Sequence, residues 1–461
     1  MVTIVPIETP TLGDRSYLAH DGEVALVVDP QRDIDRVLQL AEAAGVRITH
    51  VFETHIHNDY VTGGLALARV TGAAYHVNGA DEVAYERVAT GDGDVIDVSD
   101  AMRVRVIATP GHTYTHLSYS LESRGEQVGV FSGGSLLFGS TGRPDLLGPD
   151  HTDALVHHQF NSVHRLAAQL PDGVPVLPTH GFGSFCSATQ SEATSSTIGQ
   201  EKLTNPALTQ VEEDYVAELL AGLDDWPAYY AQMGPANSAG PAAADLRAPE
   251  PADAAALKRR LDAGEWVVDL RTRTAFASGF VPGSFNVGID GQFATYLGWL
   301  IPWGTPVTLV GETPEQVAEA QRELVRIGID RPAAAATGSP QDWTDGPLAS
   351  FERATFADLA HVLHHRRVTV LDVRREGEYG ASHVDGALNI PLHELLNRVA
   401  ELPKGEIWVH CAGGYRASIA ASILAANGRP VVAVDDSYTE HGVPSGLPLV
   451  TGQDEHAKAM V

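Results

Sequence analysis

Cysteine is nearly absent. The 461 residues hold two, Cys186 and Cys411, far apart in the chain. That excludes a disulfide framework and leaves each as a reactive or a buried free thiol. Positive charge is scarce too: 31 Lys and Arg stand against 59 Asp and Glu, a formal net charge of −28. Nucleic acid and anionic membrane surfaces both require clustered cations, so neither is expected as a partner. No apolar run is long enough to cross a bilayer, and Met1-Val2-Thr3 does not begin the basic and apolar regions of a secretion signal. The expectation is a soluble cytoplasmic protein. What is present is globular composition, 44% hydrophobic and 20% charged, at a length that suits about three domains.

Along residues 1 to 180, β-branched runs alternate with helical patterns. Strands are expected at Thr3–Ile7, Glu23–Val28, Arg47–Thr54, Ala73–Val77, Met102–Ala108, Leu117–Leu121, Gln127–Phe131 and Val174–Leu177. Helices are expected at Asp33–Ala44, Gly64–Thr71 and Asp153–Gln169. These belong to a first domain over 1–233, whose end is a helix and an aromatic cluster at Trp226, Tyr229 and Tyr230. Residues 234–251, rich in Gly, Pro and Ala, read as a linker. An internal repeat follows. Asp269, Arg271, Val281, Gly283 and Asn286 recur 103 residues later as Asp372, Arg374, Val384, Gly386 and Asn389. The copies occupy 252–345 and 346–461, and Pro332 to Asp345 separates them. Each reads as a small doubly wound α/β unit.

Two stretches carry chemistry. Thr54-His55-Ile56-His57-Asn58-Asp59-Tyr60 leaves the end of an apolar run read as a strand; alternate residues of an extended segment share a face, so His55, His57 and Asp59 can converge on one point. Imidazole and carboxylate are common ligands of zinc and non-haem iron. In the second repeat copy, His410-Cys411-Ala412-Gly413-Gly414-Tyr415-Arg416 follows a strand and opens a helix at Ala417–Ala426. There the loop's N–H groups, the helix dipole and Arg416 favour thiolate over thiol. The two glycines permit a tight ring able to cradle a persulfide's terminal sulfur.

The second copy resembles a rhodanese sulfurtransferase domain in Asp372-Val373-Arg374, Glu378, His383-Val384-Asp385-Gly386-Ala387 and the Cys411 loop. A cysteine phosphatase is the rival, but its loop places five residues between Cys and Arg and this one places four. The resemblance implies that Cys411 accepts sulfane sulfur and passes it to sulfite or a thiol, that Ala412, Gly413, Gly414 and Tyr415 bind it, and that Arg416 holds the anionic acceptor. The first copy has Gly311 and Gln316 at the positions of Cys411 and Arg416, and so is a silent rhodanese-like domain. Its Tyr296, Trp299 and Trp303 serve either an interface or an ordinary core.

Four further segments continue from the His55 box: Thr109-Pro110-Gly111-His112-Thr113, Phe131-Ser132-Gly133-Gly134-Ser135, Gly142-Arg143-Pro144-Asp145 and Pro178-Thr179-His180-Gly181. In this order they resemble the metallo-β-lactamase superfold, and within it the persulfide dioxygenases fused to rhodanese domains. The resemblance implies an α/β protein: an N-terminal metallo-β-lactamase αββα sandwich followed by two rhodanese-like doubly wound domains. It implies one Fe(II), with zinc as the alternative, and small-molecule persulfides, sulfite or thiosulfate and a thiol acceptor as reactants. A homo-oligomer is also implied.

That family's iron is held by two His and one Asp. The first two fall on His55 and His112, but the third falls on Gly134, and Tyr60 replaces the superfold's second-site His. Losing both positions disfavours a dinuclear thioester hydrolase. One repair is a three-imidazole site of His55, His57 and His112, with Asp59 or Asp145 behind it; the alternative is a domain that has lost its metal. His180, unused for iron in such dioxygenases, is assigned behind the ligands or to the substrate side. Cys186 is either a sulfur relay or inert packing, and Arg143 either orients an anionic substrate or pairs with Asp145. Three functions follow: persulfide oxygenation coupled to sulfur transfer, a sulfurtransferase with a non-catalytic scaffold, or a mononuclear thioester hydrolase fused to a sulfur carrier.

Overall fold

The computed structural model describes residues 2–452. It divides into two compact units, one formed by the chain up to Asp245 with Leu324–Asp330, the other by Leu246–Glu323 and the chain from Arg331 onward.

The first unit is built on two six-stranded sheets. One runs in chain order through Thr3–Thr9, Asp14–His20, Val24–Val28, Arg47–Phe52, Ala74–Asn78 and Val88–Thr90. The other runs Ser196–Thr197, Pro175–Pro178, Glu126–Gly133, Leu117–Ser123, Arg103–Ala108 and Val95–Asp97. Strand alternation explains how they stack. In Val24–Val28, Leu26 and Val28 join the layer between the sheets, where Phe52, Val104, Val106, Tyr119 and Phe131 meet them. Ala25 and Val27 face the other way, against Val37 and Ala41 of the helix Asp35–Ala44 and Leu65 and Leu67 of Gly64–Thr71. Both faces being covered, the strand reads as an unbroken apolar run. On the second sheet's outer face lies Pro149–Gln169, which packs Val156, Val163 and Leu166 on Val130 and Val176 at helical spacing. This is the expected αββα sandwich. The long helix begins four residues earlier than expected, with proline at its first position, where no N–H is needed.

The second unit holds the repeat apart from Leu324–Asp330, and each copy has its own parallel sheet. The first has strand order Phe285–Asn286, Trp266–Asp269, Val307–Gly311, Ala334–Thr337. The second has Glu352–Ala354, Val431–Val434, Ile407–His410, Thr369–Asp372, Leu388–Asn389. The repeated residues form one lock twice. Arg271 donates to both oxygens of Asp269, and Arg374 does the same to Asp372. The amide of Asn286 bridges the carbonyls of Asp269 and Arg271, and that of Asn389 bridges those of Asp372 and Arg374.

Two boundaries differ from expectation. Ala334–Thr337, in the stretch taken to separate the copies, is a sheet strand whose alanines give no β-branched signal. Residues 234–239 of the supposed linker continue the helix Tyr230–Ala239, with Pro235 inside it. Composition hid this, because beyond the buried Tyr230 and Met233 the helix is anchored by a polar side chain. The amide of Asn237 donates to the carbonyls of His57 (2.8 Å) and Tyr60 (2.9 Å) and accepts from the N–H of Thr62 (2.9 Å). Among the described residues no helix is long and apolar enough to cross a membrane.

Removing the Asn237 amide strands three buried backbone groups. Asn237→Ala is expected to destabilise the first unit by about 2–4 kcal/mol, read as a lowered denaturant midpoint. An unchanged midpoint would contradict the bracing role.

Candidate functional site

The His55 box follows Arg47–Phe52, but the chain is irregular from there to Gly63, so its side chains do not share one face. His57 and Asp59, with His180, offer ligand atoms within 4.8 Å of one another, and His57 Nδ1 has no hydrogen-bond partner, whereas His55 groups with His112 and His180. His55 sets Nδ1 against the Thr54 hydroxyl (2.9 Å) and Nε2 toward Nε2 of His180 (3.4 Å). His57 turns its Nε2 to Glu53 (3.2 Å), Asp29 (3.3 Å) and the Tyr60 hydroxyl (3.0 Å). Asp59 lies 3.2 Å from Nδ1 of His180. The expectation that His55, His57 and Asp59 converge on one point therefore does not match the structure.

Asp29 causes much of this arrangement. Just past the strand Val24–Val28, at φ 50°, it accepts from the N–H and hydroxyl of Thr54 (both 2.7 Å) and from the Thr179 hydroxyl. Burial alone would push its carboxyl up, but His57 and these donors outweigh that and lower it. Burial likewise depresses His57, yet the carboxylates of Asp29 and Glu53 carry it up to about 9. Its Nε2 is committed to anions.

Three other imidazoles come together. His55, His112 and His180 are buried, and each offers a ligand atom within 4.8 Å of the others'. His112 donates Nδ1–H to the Arg143 carbonyl at 2.8 Å, and its Nε2 has no hydrogen-bond partner. His180 sets Nδ1 against Asp14 (2.9 Å) and Asp59, leaving Nε2 for His55. Each ring thus has Nδ1 engaged by the protein and Nε2 presented inward, as metal-bound imidazoles are oriented. This donor set suits zinc or ferrous iron, and an orphaned, buried Nε2 is what such an ion would satisfy. Burial, first, and then the neighbouring imidazoles push His55 well down. Burial and His180 take His112 to about 3. Burial acts the same way on His180, but Asp59 and Asp14 raise it to about 10.

Position 134 has no space for a ligand. A Cβ there would lie 2.4 Å from Cδ2 of His112 and 3.0 Å from its Nε2, so the ring occupies the room a side chain would need. The Gly134 N–H donates to Nε2 of His116 (2.9 Å), a buried histidine that motif spacing did not single out. Asp14, Asp29 and Glu53 were equally missed; the available signal was an acid within or ending a buried strand. Arg143 sits in a bidentate pair with Asp145 (both 2.7 Å) and also donates to the Asp224 carbonyl. That is the ion pair of the structural alternative, and the Arg143 backbone carbonyl orients His112. Cys186 is fully buried, and burial together with Asp59 pushes its thiol well up, which suits packing over relay.

In the second unit, Cys411 follows the strand Ile407–His410 and the helix Tyr415–Ala426 begins just beyond it. Its Sγ accepts from the N–H groups of Gly414 (3.1 Å) and Ala417 (3.4 Å), while Ala412 and Gly413 are exposed at the loop's mouth. Gly414 has φ 91°, and a Cβ there would lie 2.1 Å from Asp435 Oδ1. Arg416 forms a bidentate pair with Glu378 (2.6 and 2.8 Å). Burial pushes that carboxyl up, but Arg416 more than offsets it and brings Glu378 from 4.5 to about 2. The silent copy grips this loop. Tyr415 donates to the Gly288 carbonyl (2.6 Å), Ser418 to Oδ1 of Asn286 (3.0 Å), and Arg273 to Asp435 (2.5 Å). In the silent copy's own loop, Gln316 Oε1 accepts from the Glu312 N–H (2.7 Å) and would sit 3.1 Å from a Cβ at Gly311.

Two outcomes are expected. Gly134→Ala should displace the His112 ring and weaken metal retention about ten- to a hundredfold, measured as bound metal per chain; a Gly134→Asp protein holding more metal than the parent would contradict this. The Glu378–Arg416 pair, with its folded value below the unfolded one, stabilises fully above pH 4.5 and is lost as pH falls toward 2. The stability gap between parent and Glu378→Gln should shrink by on the order of 3 kcal/mol from pH 6 to pH 2, followed by denaturant midpoints. A constant gap would contradict it.

Residues 12–184 match the metallo-beta-lactamase superfamily and residues 355–441 match a rhodanese-like domain. A hydroxyacylglutathione hydrolase of Synechococcus sp. (strain JA-3-3Ab) is 30% identical over 224 residues, 44% of this chain and 87% of that protein. The mitochondrial persulfide dioxygenase ETHE1 of Homo sapiens is 28% identical over 210 residues, 45% of this chain and 74% of that one. The chain spans only about half, 57% and 46%, of the length of two other hydroxyacylglutathione hydrolases it matches. Among solved structures, a metallo-beta-lactamase from Staphylococcus aureus subsp. aureus COL superposes with a TM-score of 0.65 at 27% identity, covering 73% of this chain and 99% of that one. With these relatives, the αββα sandwich and the Cys411 loop, the chain belongs to the metallo-beta-lactamase superfamily and joins that domain to a C-terminal rhodanese-like domain, with persulfide dioxygenases among its homologues.

Proposed function

We propose that this is an enzyme of sulfur metabolism that moves sulfane sulfur through Cys411 and oxygenates a low-molecular-weight persulfide in its metallo-β-lactamase domain. One observation carries the first half: Cys411 Sγ faces two loop N–H donors, with Arg416 at the end of the same loop. Such donors hold charge on a sulfur atom through both halves of a transfer. Thiosulfate loads the loop as the Cys411 thiolate attacks its outer sulfur. The new S–S bond forms, the old one breaks, and sulfite leaves with the electron pair.

For the second half, His55, His112 and His180 would hold one divalent ion, which when bound supplies open positions for oxygen and substrate. The protein's part is orientation: Asp14 and Asp59 fix His180, the Arg143 carbonyl fixes His112, and Thr54 fixes His55. Overall, persulfide, dioxygen and water give thiol and sulfite. Sulfite is then a sulfur acceptor for the other domain, which gives the fusion a chemical rationale. Kinship with hydroxyacylglutathione hydrolases raises thioester hydrolysis as the second reading. Against a two-metal version of it, Tyr60 hydrogen-bonds His57 where a second-site ligand would stand, and Gly134 offers no bridging carboxylate.

Bound iron and zinc, oxygen uptake with a small-molecule persulfide, and thiosulfate sulfurtransferase activity separate these readings. Cys411→Ser should cut sulfur transfer by at least about 1000-fold while oxygen uptake persists; His112→Ala should do the reverse. No metal in the parent would sink the dioxygenase half and leave the scaffold reading; metal without oxygen uptake would sink it and leave the hydrolase reading as well. Sulfur transfer that survives Cys411→Ser would sink the first half.

A further inference from the structure

The first sheet ends on Val88–Thr90, a strand with a neighbour on one side only. The Gly79 N–H donates to the Thr90 carbonyl (2.8 Å), so Thr90 and, two residues back, Val88 turn their backbone groups to the sheet. The N–H and C=O of Ala89, between them, point out at the open edge. The chain approaching this strand is extended too. Over residues 82–88 exposure alternates: Glu82, Ala84, Glu86 and Val88 are exposed and the residues between them half-buried. Over residues 83–87 the one backbone hydrogen bond among the described residues runs from the Ala84 N–H to the Ser238 carbonyl (2.9 Å). A row of unpaired backbone groups at a sheet edge is a template for another strand.

Beside this segment, between it and the helix Gly64–Thr71, lies a groove of about 640 Å³. That is room for a ligand or for side chains of a peptide. Its buried lining residues, Leu65, Ala68 and Tyr75, are apolar or aromatic. Tyr85 stacks on Tyr75 with centroids 5.7 Å apart and planes at 29°, and Val88 is 43% exposed. Two guanidinium groups line the groove as well. Arg69 is exposed and has no hydrogen-bond or ion-pair partner among the described residues. Nη2 of Arg87 donates to the carbonyls of Gly79 (3.1 Å) and Asp81 (2.7 Å), but its Nε is buried without a partner. A buried donor with no acceptor is costly, and a ligand that supplies one removes the cost. One carboxylate, Glu86, stands in the lining against these two cations.

We infer that this edge and groove receive an extended peptide segment of another protein. The segment adds a strand at Ala89 and along residues 83–87, sets an apolar side chain over Tyr75 and Tyr85, and places a carboxylate at Arg69 and Arg87. Backbone pairing supplies affinity in such a mode, and the groove with its guanidinium groups supplies the preference. The chain as a whole carries −28 and repels an acidic partner. A short acidic segment meets little of that repulsion, whereas a second copy of the chain meets all of it. The site goes beyond the sulfur chemistry proposed above and does not depend on it.

The test is the fluorescence anisotropy of a fluorescein-labelled, end-capped octapeptide of alternating valine and glutamate, titrated with the full chain. Saturable binding with Kd on the order of 10–100 μM is expected, about tenfold tighter than for the same peptide with lysine in place of glutamate. Arg69→Glu, a change on an exposed side chain, should weaken the acidic peptide about tenfold and reverse the preference. Ala89→Pro removes the outward N–H and spares the bonds of Val88 and Thr90 to the sheet. It should weaken the acidic peptide about tenfold with the denaturant midpoint close to the parent's; if it does not fold, Arg69→Glu alone decides. No saturable binding to the parent, equal affinity for the two peptides, or binding untouched by Arg69→Glu would overturn the proposal. Sedimentation without peptide reads the rival occupant. An assembly that Arg69→Glu dissociates would put a second copy in the groove and overturn it, and an assembly state that the variant leaves unchanged supports it.

Discussion

A carboxylate with no access to water organises the first unit. Asp29 is wholly buried, at the end of a buried strand, and takes donors from Thr54, Thr179 and His57. Those residues lie on the segments that carry His55 and His180, so one anion sets the position of two of the three imidazoles. A buried charge is tolerated only when paired and hydrogen-bonded, and removing one partner leaves the other uncompensated. That condition explains the course of His57. Its place between Asp29 and Glu53 makes it the counter-charge of the cluster, and His55, His112 and His180 form the all-imidazole group proposed to hold the ion.

The second unit shows one scaffold serving two purposes. The Asp–Arg lock and the Asn bridge recur in both copies with nearly the same distances, since they hold a strand end to the following loop in each. What differs is the loop itself. In one copy the N–H groups close on Cys411 Sγ; in the other a glutamine amide caps its own backbone. The copy with Gly311 supports the one with Cys411, through Gly288 and Asn286 on the first turn of the Cys411 helix and Arg273 on Asp435.

Much of this was legible in the residues. The repeat, the Cys411 loop and the order of the metal-domain signatures are local patterns, and the fold follows from them together with alternating and helical periodicity. The site was read less well, because its decisive contacts are between segments distant in sequence. His57 enters the expected three-imidazole set as the substitute for the carboxylate missing at Gly134, and the spacing gives no sign of its ion pair with Asp29, 28 residues earlier on another segment. His180 was set aside by analogy with proteins that keep an aspartate where this chain has Gly134. The glycine marks more than a missing ligand, since His112 leans over it. Asn237 was lost inside a Gly- and Pro-rich stretch, where composition hid a helix braced by polar contacts.

X-ray absorption at the metal edge of the purified full-length protein tests the proposed centre most directly, because it reports the atoms bound to the ion without requiring a substrate. The account predicts one iron or zinc with three imidazole nitrogens, one of which disappears in His180→Ala. A protein carboxylate in the coordination sphere, or a spectrum unchanged by His180→Ala, would contradict it.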